Sequence, residues 1–181
     1  ASDVYKRQIY NGETGEYVLP FIDEASVRNS VTTAVVALYL GLSRERLAER
    51  MASLEPVAMR LEVKKGQRGC TLINDSYNSD INSLDIALDF MSRRPDHKGR
   101  KRTLILSDIY QTGEPLDELY KEVSNLCVQR GVEKIIGIGP QIMEHADLIE
   151  VGEKYFFHDV TSFIHSKVFE SLSDEVILIK G

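Results

Sequence analysis

The stretch CTLINDSYNSD, Cys70 to Asp80, starts as an apolar run and ends in a crowd of carboxylate, hydroxyl, phenol and amide groups. Leu72 and Ile73 suit a buried strand, and helical periodicity resumes near Ser83, so Asn74, Asp75, Ser76, Tyr77 and Asn78 fall on the turn between strand and helix. A purely structural turn of this kind needs one capping residue and a glycine at most. Open α/β sheets gather ligands at the carboxyl ends of their strands. Two readings therefore stand side by side. One is a binding site; the other is turn chemistry, with Asp75 and Asn78 as Asx-turn formers, Asn82 or Ser83 as the helix cap and Tyr77 as a rim aromatic.

Outward from this turn the chain alternates. RLEVKK, CTLIND, RTLILSD, EKIIGIG and EVILIK read as strands, and they interleave with helical segments near Ser83 to Arg93, Leu116 to Arg130, Gln141 to Ala146 and Val160 to Leu172. That alternation predicts an α/β fold: a Rossmann-like, doubly wound, mostly parallel sheet with helices on both faces. It covers residues 57–181. Before Pro56 the pattern is different. A short extended piece, EYVLPF, leads to a helix on which Val27, Val31, Ala34, Val35 and Leu38 recur at helical spacing, with Gly41 as its stop, and a second helix starts from Ser43 as N-cap. Residues 1–56 thus read as the helical end of a different domain, joined through LEPVAMR. The first eight residues match no usable pattern and are expected to be extraneous to the fold.

Composition narrows the function classes. The 181 residues are 43% hydrophobic and carry a net charge of -6, so the global field gives no reason to expect nucleic acid or an anionic membrane as a partner. The basic run RRPDHKGRKR, Arg93 to Arg102, lacks neighbouring aromatics and reads as a solvated connector. No run approaches the ~18 apolar residues of a membrane span. Cys70 and Cys127 lack C-x-x-C spacing, no secretory signal is visible, and His97, His145, His158 and His165 show no metal-binding spacing. The expectation is a reduced, cytoplasmic protein with no metal site of its own. GIGP, Gly137 to Pro140, lacks the third glycine of a dinucleotide fingerprint and reads as a tight turn with Pro140 opening a helix; no G-x-x-x-x-G-K-[ST] phosphate loop occurs.

Five stretches, in order, carry a resemblance. NDSYNSDINSLDIAL resembles the start of the C-terminal domain of the Mur ligase family, most closely its MurF-type branch, whose pattern is close to D-D-S-Y-N-A-N-P-x-S-M. EPVAMRLEVKKG is similar to the family's P-x-x-x-R-x-E linker, ASVRNSVTTAVVALYLGL to the helix bearing H-N-x-x-N-A-x-A-A, LILSDIYQTGE to L-G-D-M-x-E-L-G, and VILIKG to V-L-V-K-G. The resemblance implies the tail of a central ATP-binding domain followed by a C-terminal domain cut after Gly181. It also implies a reaction in which the γ-phosphoryl of ATP passes to a carboxylate of a UDP-MurNAc-peptide, and the amine of D-Ala-D-Ala attacks the acyl phosphate. Mg and the triphosphate would be held by the central domain's phosphate loop, so this chain would be inactive alone. Some relatives of this type are fused to a downstream alanine racemase.

By the same resemblance, Arg60 is the catalytic cation that holds phosphate oxygens as domains close, and Asn29 reads the adenine edge. Asp75 accepts from the ribose hydroxyls, with Tyr77 and Asn78 closing that side. Asp108 and Gly113 face the incoming dipeptide, and Lys180 approaches its carboxylate. Simpler readings stay open: Arg60 in a surface ion pair with Glu62 or Glu55, Asn29 on a solvent-facing helix face, Lys180 as a terminal cation. The chain departs from the family where Ala25 and Ser26 replace His-Asn, Asn74 replaces an Asp, Ser107 replaces a Gly, and IYQTG replaces M-x-E-L-G. Asp108 is expected to end a strand lying beside that of Asp75, and the helix from Ser26 to Leu40 to expose apolar surface. A different function class is a free-standing Rossmann-like binding module. A neighbouring one is another Mur or folylpolyglutamate-type ligase.

Overall fold

The computed structural model describes residues 4–10, 12–20, 24–55, 59–95, 99–110, 113 and 115–181. The chain divides into two compact units, Ala1–Val57 and Ala58–Gly181.

The first unit opens with a hairpin that sequence reasoning missed. β1 (Val4–Tyr10) pairs antiparallel with β2 (Glu13–Leu19), from Val4 opposite Leu19 to Tyr10 opposite Glu13. Residues 4–8, expected to be extraneous, are thus half of a strand pair. The available signal was the Asn11-Gly12 dipeptide between two extended runs, a strong hairpin signature. α1 (Glu24–Tyr39) and α2 (Arg44–Ala52) follow, with Gly41 at φ 89° between them and the Ser43 side chain accepting from Arg46 N at 3.3 Å. Tyr17 and Leu19 of β2 pack with Ala34, Leu47 and Met51 to form a small core. Much of α1 finds no cover: Val31, Val35 and Val36 are exposed, and Tyr39 and Leu40 stand 79% and 77% open.

The second unit is a six-stranded sheet built from β3 (Glu62–Lys65), β4 (Thr71–Asp75), β5 (Lys101–Ser107), β6 (Lys134–Ile138), β7 (Glu153–Phe157) and β8 (Glu175–Lys180). Its order is β3-β4-β8-β5-β6-β7; β3 is antiparallel to β4 and all other pairings are parallel. Period-2 alternation sorts the strand side chains between two layers. Ile73, Leu104, Leu106, Ile135, Val176 and Leu178 face α3 (Ile81–Arg93), α4 (Leu116–Gln129) and α5 (Pro140–Glu144); Cys70, Ile136 and Ile177 pack with Phe163 of α6 (Val160–Ile164) and with Leu172, which follows α7 (Lys167–Ser171). Helices on both faces of a mostly parallel sheet are the expected fold class.

Four local expectations change. β7 is a half-exposed edge strand whose EKYFF sequence has no clean alternation. The helix expected over residues 160–172 is two short helices, because Ser166 leaves the helix and caps the second one, accepting from Phe169 N at 3.2 Å. The run Arg100 to Arg102 is no solvated connector: Arg100 donates to Thr71 Oγ1 and the Glu175 carbonyl, both at 3.0 Å, and Lys101 pairs with Glu153 at 2.5 Å. Finally, β8 lies between β4 and β5, so the strand ending at Asp108 is not beside that of Asp75. The connections from β4 to β5 and onward to β7 move along the sheet, and the last strand returns to the gap left behind. Among the described residues no helix is long and apolar enough to cross a membrane.

Candidate functional site

The returning strand places Lys180 at the carboxyl end of β8, in register with Asp75 on one side and Leu106 on the other. The Lys180 ammonium lies 2.9 Å from Asp75 Oδ2, with the two side chains 2% and 13% exposed. It also donates to the Asp75 carbonyl at 3.3 Å and to the Asn78 carbonyl. The other Asp75 oxygen, Oδ1, accepts from Leu61 N at 3.1 Å, and Tyr77 N donates to the Met59 carbonyl at 3.2 Å. The segment before β3 and the turn after β4 are thereby stitched together.

Arg60 lies between two left-handed residues, Met59 at φ 60° and Leu61 at φ 47°. Non-glycine backbone in this region costs ~1–3 kcal/mol per residue and persists where its surroundings over-determine it, as these hydrogen bonds do. The Arg60 guanidinium stands over the Tyr77 ring, 4.6 Å from its centroid, and Tyr77 is 58% exposed. Glu62, one of the two carboxylates offered to Arg60 in the simpler reading, pairs with Lys64 at 3.0 Å. An exposed planar cation resting on an exposed aromatic face offers both phosphate-binding donors and a stacking surface.

The polar groups of the turn form an Asx turn and a helix cap, on other residues than expected. Asn74, not Asp75 or Asn78, forms the Asx turn, its Oδ1 accepting from Ser76 N at 3.3 Å and Ser76 Oγ at 2.7 Å. The helix cap is Asp80 rather than Asn82 or Ser83: Asp80 Oδ1 accepts from Ser83 N at 2.9 Å while Ser83 Oγ accepts from Asp80 N at 3.3 Å, a reciprocal capping box. Asn78 Nδ2 donates to Asp80 Oδ2 at 2.9 Å. Burial acts to raise the Asp80 carboxyl, but the Ser83 hydrogen bonds and the Lys180 charge prevail and hold it below its ordinary value.

Asp108 belongs to a second arrangement. Its carboxylate is 3% exposed and accepts from Gln141 N at 3.1 Å and Ile142 N at 2.8 Å, satisfying the first amides of α5. Pro140 occupies the first turn of α5 as expected, and Gly139 adopts φ 138°. Tyr120 is fully buried and stacks on His145 at 5.1 Å, and His145 Nε2 lies 3.2 Å from Asp117. Burial, and then the Asp108 charge, push the Tyr120 phenol well above its ordinary value. Gly113 has φ 61° with open space around it; the flanking residues 111, 112 and 114 lie outside the described residues. Asn29 is exposed on α1 of the first unit, where its carbonyl accepts from Thr33 Oγ1 at 2.9 Å.

The structure thus gathers Arg60, Asp75, Tyr77, Asn78 and Lys180 into one cluster, and directs the Asp108 carboxylate to α5. Sequence reasoning missed the two backbone partners, Met59 and Leu61, because left-handed backbone at non-glycine residues leaves no mark in composition or periodicity. Among the described residues no group of three His, Cys, Asp or Glu side chains is placed to hold a metal ion.

No family model matches the chain. Curated relatives do: it is 23% identical over 168 residues to the UDP-N-acetylmuramoyl-tripeptide--D-alanyl-D-alanine ligase of Escherichia coli, covering 92% of this chain and 36% of that protein. It is 23% identical over 128 residues to the ligase of the same name from Bacillus subtilis, covering 71% and 28%. The chain therefore spans about a third of the length of the curated relatives it matches. Among solved structures, a MurF crystal structure from Acinetobacter baumannii superposes with TM-score 0.75 at 18% identity, over 99% of this chain and 39% of that one. The MurF ligase from Thermotoga maritima in complex with ADP gives TM-score 0.69 at 16% identity, over 99% and 42%. In sequence and in fold, the chain is like the C-terminal region of a Mur ligase, and the curated relatives it matches are of the MurF type.

Proposed function

We propose that this chain is the nucleotide-closing part of a cytoplasmic, ATP-dependent peptidoglycan-precursor ligase that joins D-Ala-D-Ala to a UDP-MurNAc-peptide. The observation that carries the proposal is the similarity to MurF-type ligases along 92% of the chain. In this reading residues 1–56 are the tail of the central domain and residues 57–181 the C-terminal domain. ATP phosphorylates the peptide carboxylate, releasing ADP; the dipeptide amine attacks the acyl carbon, and inorganic phosphate leaves as the amide bond forms. Such chemistry depends on positioning and charge stabilisation.

This chain's share is orientation. Arg60 presents its fork to phosphate oxygens, and its stacking on Tyr77 reduces the rotamer freedom lost on binding. Asp75, although bonded to Leu61 and Lys180, keeps lone pairs for ribose hydroxyls, with Tyr77 and Asn78 as that wall, and Asn29 reads the adenine edge. The loop from Asp108 through Gly113 faces the dipeptide. Mg and the triphosphate are held by a phosphate loop of the central domain, so the chain does not turn over alone.

The test is reconstitution. The purified chain is mixed with a MurF segment carrying the N-terminal and phosphate-loop regions, and phosphate release is followed with ATP-Mg, UDP-MurNAc-tripeptide and D-Ala-D-Ala. Release that requires all three substrates and both polypeptides supports the proposal. Separate titrations of ADP and D-Ala-D-Ala, read on the amides of Asn29, Arg60, Asp75, Tyr77 and Asp108, give the binding half of the answer. Absence of both turnover and shifts at millimolar ligand overturns it.

A further inference from the structure

Lys180 is almost wholly buried, yet its ammonium faces three oxygens: Asp75 Oδ2, the Asp75 carbonyl and the Asn78 carbonyl. An ammonium has three N–H groups, so all of its donors are engaged within the protein. We infer that Lys180 is a positioning residue: through Asp75 and Asn78 it fixes the turn after β4 and the 59–61 segment, and so sets the stacked placement of Arg60 on Tyr77. It takes this role in place of one at the dipeptide carboxylate. Its link to nucleotide binding rests on the function proposed above.

The path is continuous and short. Lys180 neutralises and orients the Asp75 carboxylate, whose second oxygen holds Leu61 N. Leu61 and Met59, both left-handed, bracket Arg60, and the Met59 carbonyl receives Tyr77 N from the turn that Lys180 grips at Asn78. Strained backbone of this kind relaxes when a constraint is removed. Loss of Lys180 leaves a carboxylate at 13% exposure with, among the described residues, only Leu61 N donating to that side chain, which favours its turning toward solvent and away from Leu61. Arg60 then loses its fixed position without any change to its own chemistry.

The experiment uses the full chain and compares wild type with K180M by NMR, reading a signature that overall stability does not set. The Arg60 guanidinium stands over the Tyr77 ring, so its side-chain protons are expected upfield in wild type. In K180M they move toward random-coil values, and the Leu61 and Tyr77 amides exchange at least roughly tenfold faster, while those of Leu104 and Ile135 keep their protection. Where the stranded Asp75 charge prevents K180M from folding, D75N/K180M removes that charge and is read on Arg60 and Tyr77. Unchanged Arg60 and Tyr77 signals in the folded variant overturn the inference. ADP titration separates it from the function: roughly tenfold weaker binding by the variant supports both, whereas a wild-type chain that ignores ADP overturns the nucleotide reading and leaves the positioning result in place.

Discussion

Asp108 and Gly139 approach so closely that a β-carbon on residue 139 would lie 2.5 Å from Asp108 Oδ1. Gly139 also adopts φ 138°, a conformation that side chains rarely accept. Two independent constraints therefore require glycine here. G139A is expected to lower stability by ~2 kcal/mol or more through strain and the displaced carboxylate. D108A, which strands two amides of α5, is expected to cost ~1–2 kcal/mol. Urea denaturation of the folded chain measures both, and a neutral G139A contradicts the packing described.

At the opposite end of the sheet a second buried ion pair crosses the strands. Lys134 Nζ lies 2.6 Å from Glu175 Oε1 and 3.5 Å from Glu153 Oε1, and Thr103 Oγ1 donates to Glu175 Oε2. Removing one partner leaves the other charged and desolvated, so K134M should destabilise by ~3–5 kcal/mol, whereas K134M/E175Q should recover part of the loss. Equal losses in single and double variants would mean that packing, not the pairing, governs this site.

Arg60 and Tyr77 are exposed and lie outside the hydrophobic core. R60A and Y77A should therefore change stability by less than ~0.5 kcal/mol. Under the proposed function each weakens ADP binding, and R60K does not restore what the planar fork supplies. Calorimetric titration alongside thermal melts tests the separation; variants that bind normally remove Arg60 from the nucleotide site.

The Asp80 carboxyl is held below its ordinary value, and Glu153 likewise: burial opposes the shift in each, but for Glu153 the largest effect is the hydrogen bond from Lys101. A depressed acid contributes stability that is complete above its unfolded value, about 4, and is lost as pH falls through the folded value. Unfolding free energy should therefore drop progressively below about pH 4. D80N should show a shallower acid dependence, because one linked proton is gone. An unchanged slope would remove Asp80 from the linkage.

Much of the second unit was legible because inner strands such as β6 and β8 are buried on both faces. EVILIK and EKIIGIG read as continuous apolar runs, and Pro140 and Gly139 marked the strand-to-helix turn. β7 escaped because an exposed edge need not be apolar, and the split at Ser166 because one serine interrupts a helical period no more visibly than any polar residue. The turn after β4 was recognisable by its surplus of polar groups, yet the partners were not. Which of Asn74, Asp75, Asn78 or Asp80 forms the turn, the ion pair or the cap depends on β8, whose Lys180 lies 105 residues after Asp75 in the chain, and no local pattern encodes that.

The position of β8 between β4 and β5 has a consequence for the chain's synthesis. The strand that joins the two halves of the sheet emerges from the ribosome after β3, β4, β5, β6 and β7. Until it does, β4 and β5 each present an open edge of unpaired backbone groups, and the sheet cannot close in vectorial order. Folding of this unit thus waits for β8, with long-range closure as its slow step. The nascent chain passes through a window in which the same edges that later hold Lys180 in place are free to pair with those of another molecule.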